Sequence, residues 1–172
     1  PYSDIQLDRL GCIIAKKAGT AGEPRVMLAA HMDEIGFMVK SITPDGFLRF
    51  TPLGGWTDQV LLAQRVVVKG SKGDVPGVIG SKPPHLLDEE ERKKLAKIKD
   101  MFIDVGAKDR EEAEAFGIRP GDPIVPAGSF ETLKNENLLL AKAWDDRAGC
   151  ALLVEVCEEL AKRQHPNTVY AV

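Results

Sequence analysis

Histidine and aspartate occur in residues 31–33 at a spacing typical of a metal ligand and its partner. His31 directly follows the apolar run 25–30, which places it at the carboxyl end of a predicted buried strand. Asp33, two residues later, can bind the second ring nitrogen of His31, which fixes the tautomer and raises the basicity of the ligating nitrogen. The pattern favours a metal-binding or catalytic histidine, and a capped strand end with a locally hydrogen-bonded His31 is the alternative.

A second pair of acids, Asp145 and Asp146, also follows a strand-like run and opens a predicted helix. Two adjacent carboxylates suit a ligand that bridges two metal ions with a capping partner beside it, and helix capping alone is the simpler alternative. Because each acid-bearing loop ends a strand of what could be one parallel sheet, their separation in sequence need not mean distance in space. Together with His31 and Asp33, the acids therefore predict a shared site.

Another histidine, His85, follows two prolines in the segment 80–86. Gly80, Ser81 and Lys82 begin the segment, but the full pattern of a phosphate-binding loop is absent. Since proline restricts the backbone to extended conformations, we interpret the segment as a rigid loop. The alternative is that the loop carries His85 toward a functional site or an interface.

The composition argues against several classes of protein. The chain has 172 residues, 23 Lys and Arg against 26 Asp and Glu, and a net charge of −3; a nucleic-acid binder would usually carry a basic excess. No apolar run approaches the roughly 20 residues that span a bilayer, so we expect no membrane partner. The three cysteines are odd in number and widely spaced, which predicts free thiols in a reducing compartment and therefore a cytoplasmic protein.

The elements that must position the two acid-bearing loops are predicted to be of α/β type. The apolar run 25–30 predicts a strand that is covered on both faces. A strand at 137–143, a helix at 148–162 and a strand at 168–172 predict a βαβ unit, in which the two strands pair in parallel. In such folds the chemistry lies just beyond the carboxyl ends of the strands.

The middle of the sequence predicts short strands and two short helices. Pro44, Asp45 and Gly46 predict the turn of a hairpin, because proline fixes φ and glycine accepts positive φ. Asp88 and Asp109 are the expected N-caps of the helices. The predicted strands cover 35–40, 46–50, 60–69, 75–79, 101–105 and 123–125, and the predicted helices cover 88–97 and 109–116.

Many short strands with glycine turns favour a small barrel or sandwich across the middle of the chain. The fold class that follows is α/β with a β-rich insertion. We divide the chain into an α/β portion formed by residues 1–40 and 134–172 and an inserted β-rich domain formed by residues 41–133.

Five motifs, taken together and in this order, resemble those of the glutamyl-aminopeptidase family of dinuclear metallopeptidases. That family includes the tetrahedral aminopeptidases and proteins labelled cellulase or endoglucanase. The resemblance covers essentially the whole chain. The motifs are HMDEIGF at 31–37, LGGW at 53–56, GVIGSKPPH at 77–85, DMFIDVG at 100–106 and KAWDDRAG at 142–149.

The resemblance implies a pair of divalent metal ions, zinc or cobalt, in a phosphorylase/hydrolase-like α/β domain with an inserted, barrel-like dimerisation domain. It implies His31 as a ligand of one metal, Asp145 as the carboxylate that bridges both, and Asp33 as the acid that supports His31. It also implies removal of N-terminal residues from short peptides by metal-activated water. A homo-oligomer built from dimers, up to a dodecamer, is expected.

The family pattern also contains residues that have no match in this sequence. After the strand that matches 168–172, the family carries a loop with the general base and the next metal ligand, and a later Asp and His complete the site. We therefore expect the 172-residue chain to be inactive by itself. Two alternatives stay open: an oligomerisation or interaction module with a vestigial half-site, and a glycoside hydrolase, which needs two carboxylates that flank the scissile bond.

Overall fold

The chain forms two units of different architecture and passes between them at Glu34/Ile35 and at Lys142/Ala143. The structure is a computed structural model that describes residues 4–86, 88–92 and 95–172. The sequence up to Glu34 and the segment Ala143–Val172 form one unit, here called the sheet unit. The segment Ile35–Lys142 forms the other, here called the barrel unit.

Short strands make up most of the regular structure in the described residues. The strands are β1 (Asp4–Leu7), β2 (Ile13–Lys17), β3 (Val26–Leu28), β4 (Gly36–Ile42), β5 (Leu48–Leu53), β6 (Arg65–Gly70), β7 (Gly73–Gly80), β8 (Phe102–Asp104), β9 (Pro123–Pro126), β10 (Glu131–Thr132), β11 (Leu139–Leu140) and β12 (Val169–Ala171). The helices are α1 (Glu89–Arg92), α2 (Arg110–Ala115) and α3 (Trp144–Ala161), with 3₁₀ turns at Asp58–Val60, Pro84–Leu86 and Ile98–Asp100.

The sheet unit is a four-stranded mixed sheet with the strand order β1-β2-β12-β3. The last strand, β12, lies antiparallel to β2 and parallel to β3. Lys17 at the end of β2 is buried, and its ammonium donates hydrogen bonds to the carbonyl oxygens of Leu160 and Arg163 at the end of α3. A cation is favourable at the C-terminus of a helix, so this contact fastens α3 to the sheet.

The predicted parallel pairing of 137–143 with 168–172 is wrong. The parallel partner of β12 is β3, and in the described part of the chain β11 pairs only with β10. The local cause is a hairpin, since Leu138 N–H donates to the Asn135 carbonyl and Leu133 N–H to the Leu138 carbonyl. An apolar run predicts a strand, but its composition does not identify the neighbouring strand.

The barrel unit is a closed six-stranded barrel with the order β4-β5-β8-β7-β6-β9, which is one of the two predicted architectures. The predicted hairpin is confirmed as the β4–β5 pair. Its interior is filled by apolar side chains. The buried Phe37, for example, stacks on the partly buried Trp56 at 4.7 Å between ring centroids and meets the edge of Phe50 at 5.1 Å. Closure removes free sheet edges, so this unit has a continuous core of its own.

The boundaries between the units differ from the sequence-based division at 40/41 and 133/134. Residues 35–40 belong to the barrel unit because β4 pairs with both β5 and β9. The segment 134–142 belongs to it as well. The physical reason is that a strand's partners, rather than its hydrophobicity, decide which unit it joins.

The helices differ from prediction mainly in length. The N-cap of α2 is confirmed, because the Asp109 carboxylate accepts the backbone N–H of Glu112 at 2.8 Å. The predicted helix at 88–97 is shorter, since α1 ends at Arg92; residues 93 and 94 lie outside the described residues. None of the helices in the described ranges has the length and apolar character needed to cross a membrane.

Candidate metal centre

His31 lies just beyond the carboxyl end of β3, in the sheet unit. Strand β3 pairs with β12, and the pairing extends to Ala30, whose N–H donates to the carbonyl of Val172 at 3.0 Å. From there the backbone leaves the sheet, and the His31 side chain is about half exposed (54%). The predicted placement of His31 beyond a strand end is therefore confirmed. The strand itself is not buried as predicted, since Val26 and Met27 are exposed.

Two carboxylates contact the His31 ring, one at each nitrogen. Asp33 Oδ1 lies 3.2 Å from Nδ1, and Asp145 Oδ1 lies 3.1 Å from Nε2. The first contact is the local one that the His-x-Asp spacing predicts. The second joins the two loops, so the structure brings together the three residues that the sequence placed in one site.

The second loop has an irregular backbone where it enters α3. Ala143 takes a left-handed conformation with φ of 57°, and Asp145 and Asp146 have non-helical backbone angles. The Asp146 carboxylate accepts the backbone N–H of Gly149 at 3.1 Å. Asp146 therefore caps the helix, whereas the Asp145 carboxylate is free of the helix and reaches His31.

The electrostatics of the site favour a protonated imidazole in the absence of metal. Desolvation is the strongest single influence on His31 and lowers its pKa. The nearby charges of Asp33, Asp145 and Asp146 and the hydrogen bond that the Asp145 carboxylate accepts from the ring outweigh it. The resulting pKa of His31 lies above its ordinary value of 6.5. A cation is therefore stabilised between these carboxylates, which is also the condition for binding a metal ion.

The donor set fits a divalent metal ion. Ligands about 2.0–2.2 Å from one zinc ion lie about 3–3.5 Å apart, and Nε2 of His31 and Oδ1 of Asp145 are separated by 3.1 Å. Asp33 occupies Nδ1, the arrangement in which a carboxylate orients a ligating imidazole. Within the described ranges, no three His, Cys, Asp or Glu side chains are grouped to hold a metal on their own, so the fit concerns two ligands.

His85 lies in the barrel unit, in the 3₁₀ turn Pro84–Leu86. Its side chain is exposed. No contact in the described residues tests a role for His85 in a functional site or an interface. That role stays a prediction.

Sequence reasoning missed one residue at the site, Arg147. Its side-chain Nε donates to the backbone carbonyl of Met32 at 3.0 Å. The only sequence signal for this contact is a cation in the first turn of a helix, where the helix dipole disfavours positive charge. The helix dipole therefore does not stabilise Arg147 at this position, whereas its hydrogen bond to Met32 does.

Comparison with known proteins places the chain in a family. The family model for M42 glutamyl aminopeptidases matches residues 11–172. The chain is 40% identical over 167 residues to the glutamyl aminopeptidase of Lactococcus lactis subsp. cremoris (strain MG1363), an alignment that covers 95% of this chain and 47% of the relative. The chain spans about half the length of the curated relatives it matches.

Solved structures agree with the sequence comparison. A TET aminopeptidase from the marine sediment archaeon Thaumarchaeota archaeon SCGC AB-539-E09 is 47% identical with a TM-score of 0.93, covering 99% of this chain and 48% of that one. The TET1 peptidase of Pyrococcus horikoshii, which can assemble into a tetrahedron or a large octahedral shell, is 34% identical with a TM-score of 0.81, covering 99% of this chain and 50% of that one. With the family model matching from residue 11 to residue 172, the chain belongs to the M42 glutamyl aminopeptidase family.

Proposed function

We propose that this chain contributes the first two metal ligands of a metal-dependent aminopeptidase. The observation that carries the proposal is the His31 ring held between two carboxylates, with Asp145 3.1 Å from the nitrogen that Asp33 leaves free. Family membership supports the peptidase activity. The substrates are short peptides, from which the enzyme removes N-terminal residues.

The proposed centre holds two divalent metal ions, zinc or cobalt. When bound, such a pair activates a water molecule and polarises the scissile carbonyl group. His31, through Nε2, and Asp145, through its carboxylate, are the residues of this chain that would hold these ions, with Asp145 in the bridging position that the resemblance implies. Asp33 keeps the proton on His31 Nδ1, so that Nε2 presents its lone pair, and Asp146 holds the start of α3 in place.

The proposal leaves several roles to residues outside this sequence. Two of the proposed metal ligands, His31 and Asp145, belong to this chain. The general base and the remaining ligands of the family pattern have no match in the 172 residues. We therefore propose that the 172-residue chain binds metal weakly and does not hydrolyse peptides by itself. Peptide turnover by a chain verified by mass to be these 172 residues would contradict this.

The architecture and assembly of the whole protein follow from the same proposal. The sheet unit would form part of a phosphorylase/hydrolase-like α/β domain, and the barrel unit would be the inserted dimerisation domain. The named assemblies of the Pyrococcus horikoshii relative support a homo-oligomer built from dimers, with a dodecamer as the size expected from the resemblance. Free cysteines support a cytoplasmic location.

Glycoside hydrolysis is weakened by the position of Asp146. A pair of catalytic carboxylates must flank the scissile bond, but Asp146 is engaged with the backbone N–H of Gly149. One of the two carboxylates that this chemistry would need therefore caps α3. The interaction-module alternative predicts no metal binding at all, so metal titration separates it from the proposed enzyme.

A chimaera tests the proposed activity. This chain replaces the matched half of the archaeal TET aminopeptidase, to which it is 47% identical. We expect metal-dependent release of N-terminal residues from short peptides. His31→Ala and Asp145→Asn should each lower the rate by more than about 100-fold, since loss of a residue that merely orients a ligand already costs about 10- to 100-fold.

The matched control is Asp74→Asn, which removes an exposed carboxylate of the barrel unit that pairs with Lys69 at 2.7 Å. It should leave the rate unchanged. A chimaera that folds and binds metal but releases no residues would refute the peptidase proposal.

A further inference from the structure

We propose that Arg147 is a positioning residue for His31, acting through the main chain of the loop that carries the histidine. The inference rests on the proposed function, because it concerns the metal affinity of that site. Arg147 Nε lies 3.0 Å from the carbonyl oxygen of Met32. Met32 separates His31 from Asp33, so this hydrogen bond restrains the segment that carries both.

Residues 31–33 of the loop after β3 have few backbone contacts that restrain them. Up to Ala30 the loop is held by Val172. From His31 to Asp33, no backbone–backbone hydrogen bond is found in the part of the chain that the structure describes, and the residues are exposed. Burial and secondary structure therefore do not fix this loop, and a ligand on such a segment is poorly preorganised without a further contact.

Arg147 is well placed to supply that contact, because it is itself anchored at the start of α3. Its backbone N–H donates to the Ala143 carbonyl at 3.2 Å. Two residues earlier, the Asp145 carboxylate reaches the His31 ring. The start of α3 thus holds the loop at two points, one on the side chain of the ligand and one on the adjoining backbone.

The chemistry of arginine suits this role. The planar guanidinium is always charged, and its donors lie in a rigid arrangement, so little freedom is lost when it binds a carbonyl oxygen. A cation in the first turn of a helix is opposed by the helix dipole. Arg147 therefore does not stabilise the helix through the dipole, and its contribution is the contact with the loop.

The first test uses the metal-free chain and is independent of metal binding. Arg147→Met keeps the methylene stem and removes the donors. We expect the backbone ¹⁵N order parameters of residues 31–34 to fall from about 0.85 to below about 0.6. The control, Arg163→Met, removes an exposed arginine at the other end of α3 that pairs with Glu159 at 3.5 Å, and it should leave these values unchanged. Unchanged order parameters in Arg147→Met would overturn the inference.

The second test measures Co²⁺ affinity by competition with a chromophoric chelator. We expect Arg147→Met to weaken binding about 10-fold, the lower end of the range for loss of a residue that orients a ligand, and Arg147→Lys to recover part of it. The thermal midpoint of the metal-free chain should stay the same in all variants. A fall in affinity that accompanies an equal fall in stability, without recovery by lysine, would overturn the positioning role.

The two proposals fail in different ways. If wild type and Arg147→Met bind Co²⁺ equally, only the role of Arg147 is wrong. If wild type does not bind Co²⁺, the proposed metal function is wrong, and the inference falls with it.

Discussion

At the scale of single residues, the site depends on one imidazole between two carboxylates. Each ring nitrogen of His31 has its own acid, Asp33 at Nδ1 and Asp145 at Nε2. The two acids differ in origin: one is local in sequence, and the other comes from the start of α3. This division leaves Asp33 to orient the ring and Asp145 to share the proposed metal ion with it.

The electrostatics of His31 give a direct prediction in the metal-free chain. Its pKa should lie above 6.5, and Asp33→Asn should lower it, because the substitution removes the largest of the three charge effects, from Asp33, Asp145 and Asp146, that raise it. Histidine ¹⁵N or ¹³C NMR titration measures both values. Because the folded-state pKa is raised, the interaction stabilises the fold below pH 6.5, and this contribution is lost as the pH rises through the folded-state pKa.

A matched control is Asp74→Asn, which removes a carboxylate that pairs with Lys69 in the barrel unit. It should leave the titration of His31 unchanged. An Asp33→Asn variant in which His31 titrates as in wild type would show that Asp33 does not bind the ring in solution.

The residues of the site were predictable to the extent that local spacing determines contacts. His31 and Asp33 are two residues apart at a strand end, so their contact follows from sequence. The contact between His31 and Asp145 was also predicted, because each residue follows a predicted strand of one parallel sheet. The contact is present, although β11, the strand that precedes Asp145, does not pair with β12. For Arg147 the sequence offers one signal, a cation in the first turn of a helix. Its partner could not be predicted, because that partner is a backbone carbonyl and backbone groups leave no pattern in a sequence.

At the scale of elements, the backbone at the start of α3 orients the carboxylates of Asp145 and Asp146. Ala143 turns the chain with a positive φ, and the Asp146 carboxylate binds the Gly149 N–H. Glycine at position 149 leaves room for this contact, because a Cβ there would collide with the Asp146 carboxylate and force that side chain to move. The cap therefore fixes the start of the helix. Asp145 directly precedes the capping residue, and its carboxylate contacts His31.

Gly149→Ala should therefore destabilise the sheet unit. The added methyl group displaces the Asp146 side chain and breaks the cap, which costs about 1–2 kcal/mol in unfolding free energy. Denaturant titration followed by circular dichroism measures the loss. The control is Gly22→Ala in the same unit, where a Cβ meets no atom within 4 Å, and it should change the free energy by less than about 0.5 kcal/mol. Equal stability of the two variants would contradict the cap.

Elements with a local signal were predicted best. The N-cap Asp109 and the Pro-Asp-Gly turn each combine residues a few positions apart, and both are confirmed. Strand pairing was predicted less well, since β3 and β12 pair across most of the chain length. The composition of two strands does not determine which of several partners is adjacent.

At the scale of the whole molecule, the buried core is distributed unequally. The main hydrophobic cluster lies entirely in the barrel unit, with Leu48, Val68 and Ile103 fully buried. In the described residues of the sheet unit, the buried apolar side chains are Val169 and Ala171, and neither is fully buried. Because apolar burial is the main stabilising contribution to folding, the barrel unit carries most of the stability of this chain.

We therefore expect residues 35–142 to fold when expressed alone. The segment is continuous, its sheet is closed, and its core is its own. Circular dichroism should show a cooperative thermal transition, and amide hydrogen exchange should show protection of β4–β9 that matches the longer chain. An unfolded 35–142 polypeptide would contradict the assignment of the core to this unit.

The central claim is that His31 and Asp145 are ligands of one metal ion. Titration of the ¹⁵N-histidine-labelled chain with Zn²⁺, followed by NMR, tests it most directly. The account predicts that the Nε2 resonance of His31 shifts to a metal-bound value while Nδ1 stays protonated toward Asp33, and that Asp145→Asn greatly weakens this change. A His31 Nε2 resonance that does not move at saturating Zn²⁺, or that moves equally in wild type and Asp145→Asn, would contradict it.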